Sequence, residues 1–205
     1  MSDPAPDHEQ RIRTAFDAGD LQTAASAALR AYSAEIFNFL AARLRARSDA
    51  EDVYSMFAED LWNGLPSFAW RCSMRTWMFT LARNAAARYA SAPQRRMANN
   101  VRLSCPGVIS ELVEHIRCTT EVHQRTDAKD RFRALREKLD SEDQLLLVLR
   151  VDRNLAWRDL AMAMRGDTDL DEETLSREAA RLRKAFERIK ATLKRLVKEE
   201  GLLDP

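Results

Sequence analysis

The chain has 205 residues, a length that suggests one or two small domains. Its 33 basic and 32 acidic side chains leave a net charge of +1, so bulk charge gives no argument for nucleic-acid binding, and any such argument must rest on local segregation of charge. Five glycines and six prolines are few for this length, and no run of alternating β-branched residues indicates a strand. The predicted fold is all-α, with two small helical domains joined by a linker.

Several classes of protein are disfavoured at the outset. Three cysteines form no paired framework, which fits a reducing compartment. No stretch is apolar enough for a membrane span or a signal peptide, so we predict a cytoplasmic protein without membrane insertion. The sequence contains no nucleophile–base set and no phosphate-binding glycine loop, and it therefore predicts no enzyme and no cofactor.

The first two predicted helices cover residues 9–18 and 21–45. Gly19 stands between them and suits a helix C-terminal cap. The second helix is rich in alanine and carries an apolar face formed by Leu29, Ile36, Phe37, Leu40 and Leu44.

A third helix is predicted to begin at Ser48, because Ser48 and Glu51 have the spacing of a capping box. It should end at Asn63, Gly64 and Pro66, since glycine frees the backbone and proline cannot continue a helix. Its buried stripe, which we expect to pack on the preceding helix, consists of Val53, Phe57 and Leu61.

The fourth helix is predicted from about Ser73 to Ala90, with arginines interleaved among aromatic residues. Such a surface can hold an unpaired strand, because bases stack on aromatic rings and arginines neutralise phosphates. The same pattern is also typical of core tryptophans beside a solvated basic face, and the residues alone leave both interpretations open. The buried stripe should contain Trp77, Leu81 and Ala85.

Residues 93–126 read as a linker with one short helix over 108–116. Four residues there could ligate zinc, but they lack the close paired spacing of a tetrahedral site, so no metal is predicted. These residues are Cys105, His115, Cys118 and His123.

The second predicted domain covers residues 127–205. Ser141 with Gln144 has capping-box spacing, and Asn154 is the next predicted cap. Gly166 opens a polar turn before a long final helix over about 171–199 with a basic outer face. This arrangement predicts a helix-turn-helix that could enter the major groove, although a helical dimerisation surface also fits. The expected buried seam of the last helix is Leu175, Ala179, Leu182, Phe186, Ile189, Leu193 and Leu196.

DAEDVYSMFAEDLWNGLPSF followed by SMRTWMFTLARNAAARYA resembles region 2 of bacterial sigma factors of the extracytoplasmic-function (ECF) group. That family shows an acidic DAED-type helix, a loop of the form SFRGDSSF and RTW before an ARN-type helix. The residues in register are 49–53, 67–68, 75–77 and 82–84. Residues 69–72 replace the family's RGDS-type loop, and Ser55 and Met56 replace its Gln-Glu.

NLAWRDLAMAMRG…ETLSREAARLRKAF is similar to the region 4 pattern GLSYEEIAEILGIS…GTVKSRLHRARKAL of the same family. The turn before Thr174 is about four residues longer than the family's. Glu178 stands where the family commonly has a basic residue. The residues that match RxRKA are Arg181, Arg183, Lys184 and Ala185.

The resemblance implies a subunit that gives RNA polymerase promoter specificity and helps to melt DNA. It implies that residues 1–92 bind core polymerase, at the clamp helices of the largest subunit, through Asp49, Glu51, Asp52, Ser55, Met56 and Glu59. It implies minus-ten DNA contacts by Ser67, Phe68, Trp70, Arg71, Arg75, Trp77, Arg83, Asn84 and Arg88. It implies minus-thirty-five DNA contacts, within residues 127–205, by Thr174, Ser176, Arg177, Arg181 and Lys184.

The resemblance also makes an anti-sigma factor a candidate partner, because one is common in this group. The alternative function is a stand-alone helix-turn-helix regulator that binds two-fold operator DNA as a dimer. A further alternative is an adaptor that binds proteins and no nucleic acid.

Overall fold

The computed structural model describes residues 5–44, 46–91 and 135–200. The chain divides into two compact units, and the described residues up to 91 belong to the first and those from 135 to the second. Regular structure in these ranges is helical, which confirms the all-α prediction. The expected linker, its short helix and its cysteine and histidine residues lie outside the described residues, so the domain boundaries stay predictions.

The first unit contains four α-helices and a short 3-10 turn in its described part, as its apolar periodicity predicts. Helix α1 packs on α2, α3 packs on α4, and α2 packs on both α3 and α4. The elements are α1 (Ala5–Asp17), α2 (Leu21–Arg43), α3 (Arg47–Gly64), the turn Leu65–Ser67 and α4 (Met74–Ser91).

Aromatic rings fill the core between these helices. Phe37 of α2 meets Tyr54 of α3 at 5.6 Å between ring centroids, and Phe39 meets Phe79 of α4 at 5.5 Å. All four side chains are fully buried, and burial raises the pKa of the Tyr54 hydroxyl. Such edge-on ring pairs add attraction beyond the area they bury, so they fix how α2, α3 and α4 pack together.

The start of α3 differs from the capping-box prediction. The helix begins at Arg47, and its N-cap residue, Ala46, makes no side-chain capping bond. Ser48 is therefore already inside the helix. The Glu51 carboxylate accepts a hydrogen bond at 2.9 Å from Nε of Arg47, which lies one helical turn earlier. This ion pair takes the place of the expected bond from Glu51 back to the start of the helix. The predicted end is confirmed, because Gly64 closes α3 before the turn that contains Pro66.

The second unit contains, in its described part, a helix that runs into a π-helical turn and then two further helices. Leu145, Leu146, Leu147 and Leu149 are buried, as the apolar run predicts. Residues 135–137, ahead of these elements, are also helical. The elements are α5 (Ser141–Leu147), the π turn Val148–Asp152, α6 (Trp157–Arg165) and α7 (Glu172–Glu199).

Two predicted caps in this unit are wrong by one or two residues. Asp140, not Ser141, caps α5, since its carboxylate accepts from the backbone N–H groups of Glu142 and Asp143 at 3.0 and 2.8 Å. An aspartate one position earlier is an equally good acceptor and takes the role. Asn154 adopts a left-handed φ of 51° after the π turn, a conformation that asparagine tolerates, and Ala156 precedes α6 without a side-chain cap.

The predicted turn and final helix are confirmed. Gly166 ends α6 with φ 72°, and the Asp167 N–H donates to the Met162 carbonyl at 3.2 Å. The α7 seam is buried at Leu175, Ala179, Leu182 and Ile189, while its remaining three residues are partly exposed. None of the helices within the described ranges has the length and apolar character that crossing a membrane requires.

The cap of α7 makes a pH-dependent contribution to stability. The backbone N–H and the hydroxyl of Thr174 donate to Asp171, and this lowers the pKa of that carboxyl from 3.8. Because the pKa is lower in the folded state, the ionised cap stabilises the helix fully at pH values above the ordinary pKa of aspartate. This stabilisation is lost as the pH falls through the lowered folded-state pKa. Asparagine caps a helix without titrating. We therefore expect wild type to lose more helix than Asp171→Asn in a circular-dichroism titration below pH 4, about the ordinary pKa of aspartate. Coincident curves would contradict this.

Candidate polymerase and nucleic-acid interfaces

An acidic face runs along the outside of α3. Asp49, Asp52, Met56 and Glu59 are spaced three or four residues apart, so they share one side of the helix, and each is partly exposed. Asp49 accepts a hydrogen bond from the Tyr89 hydroxyl of α4 at 2.7 Å. The face thus offers carboxylates around one flexible apolar side chain, and it is held in place by α4.

Two residues predicted for the same interface lie elsewhere. Ser55 is buried, and its hydroxyl donates to the Glu51 carbonyl of its own helix at 3.0 Å. Glu51 pairs with Arg47. Asp60, which was not among the predicted polymerase contacts, lies partly exposed and accepts from Arg88 of α4 at 2.5 Å.

The loop between the 3-10 turn and α4 is built on a pair of stacked aromatic rings. Phe68 and Trp77 have ring centroids 4.5 Å apart and planes 18° apart, and their side chains are buried. Gly64 faces the indole so closely that a Cβ there would lie 3.1 Å from it. Trp77 is therefore a core residue and not a surface on which bases stack, and Phe68 packs with it.

Trp70 is in a different environment from Trp77. It has a left-handed φ of 55° and is partly exposed. Its ring lies 4.9 Å from the Phe68 ring and edge-on to the Phe16 ring at 5.6 Å. The guanidinium carbon of Arg13 lies 5.1 Å from the indole centroid. Phe16 and Arg13 belong to α1, and nothing in their sequence context indicated this role.

Glu9, also from α1, holds the start of α4. Its carboxylate accepts from the backbone N–H of Met74 at 2.9 Å, from that of Arg75 at 3.0 Å and from the Tyr32 hydroxyl at 2.9 Å. Ser73 adds a bond from the Thr76 N–H at 3.0 Å. The first N–H groups of a helix lack partners within the helix, and these acceptors satisfy them. The negative charge of Glu9 also interacts favourably with the positive end of the α4 dipole.

The predicted basic residues of this unit fall into two groups. Arg75 is ion-paired with Glu35 of α2, with its Nε 2.9 Å from the carboxylate, and it lies over the Phe79 ring at 5.5 Å. Arg88 is exposed but paired with Asp60. Arg71 is exposed, whereas Arg83 and Asn84 are partly buried. Ser67 is exposed and donates to the Gly64 carbonyl at 2.9 Å. The cationic groups at the surface are therefore dispersed and partly neutralised.

In the second unit, Thr174, Arg177, Arg181 and Lys184 follow each other at three- and four-residue steps. This spacing places them along one side of α7, and the last three are exposed. Ser176 is exposed beside them. Thr174 is engaged in the Asp171 cap. Arg183, which the family pattern also matches, lies over the Trp157 ring at 5.6 Å, so it joins α6 to α7.

Carboxylates surround the N-terminal part of this helix. Arg158 donates to both oxygens of Glu172 at 2.5 and 2.6 Å, Arg177 lies 3.9 Å from Glu173, and Arg181 is 2.8 Å from Glu178. Exposed pairs of this kind are weak, so phosphates can displace them, but they lower the local positive charge. The sequence shows these acidic residues, whereas only the structure shows which arginine each of them pairs with.

The fold and these surfaces define a helical protein with an acidic face and an aromatic loop in one unit and two helices joined by a turn in the other. Residues 28–96 match the family model Sigma-70 region 2. Comparisons with curated proteins and with solved structures returned no significant match. The matched residues contain α3, the aromatic loop and α4, so the match indicates a Sigma-70 region 2 domain in this part of the chain.

Proposed function

We propose that this chain is a sigma factor of the ECF group that divides promoter recognition between its two units. The first binds core polymerase and the opened minus-ten element, and the second binds the minus-thirty-five element as duplex. The observation that carries the proposal is the Sigma-70 region 2 match, because it spans both the acidic face of α3 and the aromatic loop. No covalent chemistry is required of the chain.

The acidic face of α3 is the proposed polymerase contact. Asp52, Met56 and Glu59 provide two carboxylates and an adaptable apolar side chain, a combination suited to a basic helical partner such as the clamp helices. Asp49 is part of the same proposed contact and keeps its hydrogen bond to Tyr89. Ser55 and Glu51 act from within the helix, through the bonds that keep its first turns rigid.

The loop is the proposed site of strand capture. Trp70, Arg71 and Ser67 are loop side chains that reach the surface, and the buried pair of Phe68 and Trp77 fixes the backbone that carries them. Unstacking bases costs a few kcal/mol per step, and stacking a base on an aromatic side chain returns about 1–3 kcal/mol. Arg83, Asn84 and Arg88 of α4 would guide the backbone of the same strand.

The exposed side of α7 is the proposed duplex contact. We expect Arg177→Ala with Arg181→Ala to reduce the salt dependence of upstream-element binding by the holoenzyme by about two units of slope. The reason is that each arginine displaces about one counterion from a phosphate. The measurement is the affinity for promoter fragments at a series of salt concentrations.

Lys190→Ala with Lys194→Ala is the matched control for this double variant. Both lysines are exposed on the same helix but lie on a different side from Arg177 and Arg181. The control should leave the slope within error of wild type. An unchanged slope in the arginine variant would remove α7 from the proposed interface.

A pull-down of core polymerase tests the proposed function against its alternatives. A sigma factor binds the core enzyme without DNA. A dimeric operator-binding regulator would bind DNA tightly in the absence of polymerase, and an adaptor would bind no promoter fragment. We place the protein in the cytoplasm, where bacterial polymerase works. Failure to bind core enzyme would reject the sigma interpretation.

A further inference from the structure

Glu178 is the position of α7 at which the sequence departs from the region 4 pattern it resembles, since a basic residue is common there. Its side chain is only 13% exposed, although it lies on the helix proposed to contact duplex DNA. The Oε2 atom of Glu178 accepts a hydrogen bond from Nε of Arg181 at 2.8 Å, and the Arg181 side chain is 65% exposed. A sheltered carboxylate therefore holds the inner end of an arginine whose outer end reaches solvent.

Arg177, one turn earlier on the same helix, is held differently. Its Nη1 atom lies 3.9 Å from the carboxylate of Glu173, which is 90% exposed, and its Nη2 atom lies 3.3 Å from the Thr174 hydroxyl. Exposed pairs of this length are weak, so they restrict the side chain little. The bond from Arg181 to Glu178 is shorter and its carboxylate is better shielded from water and salt, so it restricts Arg181 more strongly.

The atom that Glu178 binds decides what Arg181 can do. A guanidinium is planar, and its N–H donors form a rigid fork. A bond at Nε limits rotation of that plane and leaves both Nη groups for another partner. Side-by-side donors match adjacent acceptors, and the O6 and N7 atoms of guanine are such a pair on the major-groove edge. Neutralising a phosphate needs only the charge, so an orienting bond matters most for reading a base.

We propose that Glu178 is a positioning residue, which holds the Arg181 guanidinium in the plane that reads one guanine of the duplex. Arg181 keeps its charge, and with it its share of the salt dependence, whether or not the carboxylate orients it. The carboxylate that replaces the basic residue of the pattern thus lowers general attraction to phosphates and raises selectivity for one base pair. This assignment rests on the proposed function, because it requires α7 to contact the upstream element.

The test measures binding of the holoenzyme to duplex fragments that carry the upstream element of a promoter mapped by run-off transcription. Each base pair of the element is replaced in turn, and the readout is the ratio of the affinities for the intact and the replaced fragment. Removing a negative charge raises the affinity for every duplex alike, and this effect cancels in the ratio. Replacing one G·C pair should weaken wild-type binding about tenfold, within the range for a bidentate arginine–guanine contact.

Glu178→Ala should reduce that ratio to about twofold, because the Arg181 side chain regains its other rotamers. Glu178→Gln keeps an acceptor for Nε and should retain most of the discrimination. Arg181→Ala should abolish it, and adding Glu178→Ala to that variant should change the ratio no further, since the carboxylate acts through the arginine. Glu173→Ala is the matched control. It removes the same charge beside Arg177 and should leave every ratio within about twofold of wild type.

Several results would overturn the positioning role. A wild-type ratio in Glu178→Ala would do so, and tighter binding of all fragments at that ratio would identify a carboxylate that only screens charge. Loss of discrimination in Glu173→Ala as well would assign the effect to the helix as a whole. Wild-type discrimination at A·T pairs alone would show that Arg181 reads no guanine.

Far-ultraviolet circular dichroism of each variant reports whether the second unit is folded. If Glu178→Ala unfolds it, Glu178→Asp decides by the same ratio, because its carboxylate keeps the charge but is one methylene too short to reach Nε. A reduced ratio would agree with the positioning role, and a wild-type ratio would overturn it. A wild-type holoenzyme that does not discriminate among the fragments would reject the proposed duplex contact of α7. Discrimination that does not depend on Glu178 would reject the positioning role alone.

Discussion

Trp77→Ala should destabilise the first unit by about 3–5 kcal/mol, the range for deleting a large buried aromatic side chain. The indole is 8% exposed, it stacks on Phe68, and Gly64 packs against its far edge. Deletion would leave a cavity that these neighbours cannot fill without moving the loop. Chemical denaturation of the full chain, followed by far-ultraviolet circular dichroism, measures the change.

Trp70→Ala is the matched control, because the same atoms are removed from a partly exposed site. Trp70→Ala should lower the free energy of unfolding by less than half as much as Trp77→Ala does. It should weaken strand binding more than Trp77→Ala does. Equal destabilisation by both variants would mean that Trp70 is a core residue. A stable Trp77→Ala protein would mean that the stacked pair does not support the loop.

Glu9→Ala should destabilise the first unit by about 2–3 kcal/mol, because it leaves two backbone N–H groups at the start of α4 and the Tyr32 hydroxyl without their acceptor. Strand binding should weaken as well, since the loop leads directly into that end of α4. Denaturation of the full chain measures the first effect, and binding of single-stranded minus-ten DNA by the holoenzyme measures the second.

Glu9→Gln keeps an acceptor but loses the charge, so its effect on the free energy of unfolding should be intermediate. Asp7→Ala, in the exposed pair with Arg11 on the same helix, should change it by less than about 1 kcal/mol. A Glu9→Ala protein as stable as Asp7→Ala would show that α1 is not held to α4 through this carboxylate.

The sequence was sufficient for the helices and for most of their apolar faces, because periodicity is a local property. Leu81, expected in the buried stripe of α4, is partly exposed. Val53, Phe57 and Leu61 are buried as predicted. Of the α7 seam, Leu175, Ala179, Leu182 and Ile189 are buried, whereas its other three residues are partly exposed. The cap predictions at Ser48 and Ser141 failed because a neighbouring polar residue took the expected partner or role. Asp140 takes the position expected for Ser141, and Arg47 engages the glutamate expected to bond back to the start of α3.

The site could be predicted in its residue types but not in its contacts. Phe68 and Trp77 have the composition of a base-stacking surface, yet only the packing shows that they stack on each other. Glu9 lies 65 residues from its partner Met74, so no local pattern connects them. Arg13 on Trp70 is equally long-range, and the pairing of the α7 arginines depends on side-chain geometry.

Run-off transcription with core polymerase tests the division of work between the two units most directly. Core enzyme should produce no specific transcript from the DNA upstream of this protein's own gene, and adding the full chain should produce one transcript with a defined start. Specific transcription that needs both the Trp70 side chain and the arginines of α7 would agree with the account. A chain that fails to bind core enzyme, or that binds it without redirecting it to a promoter, would contradict it.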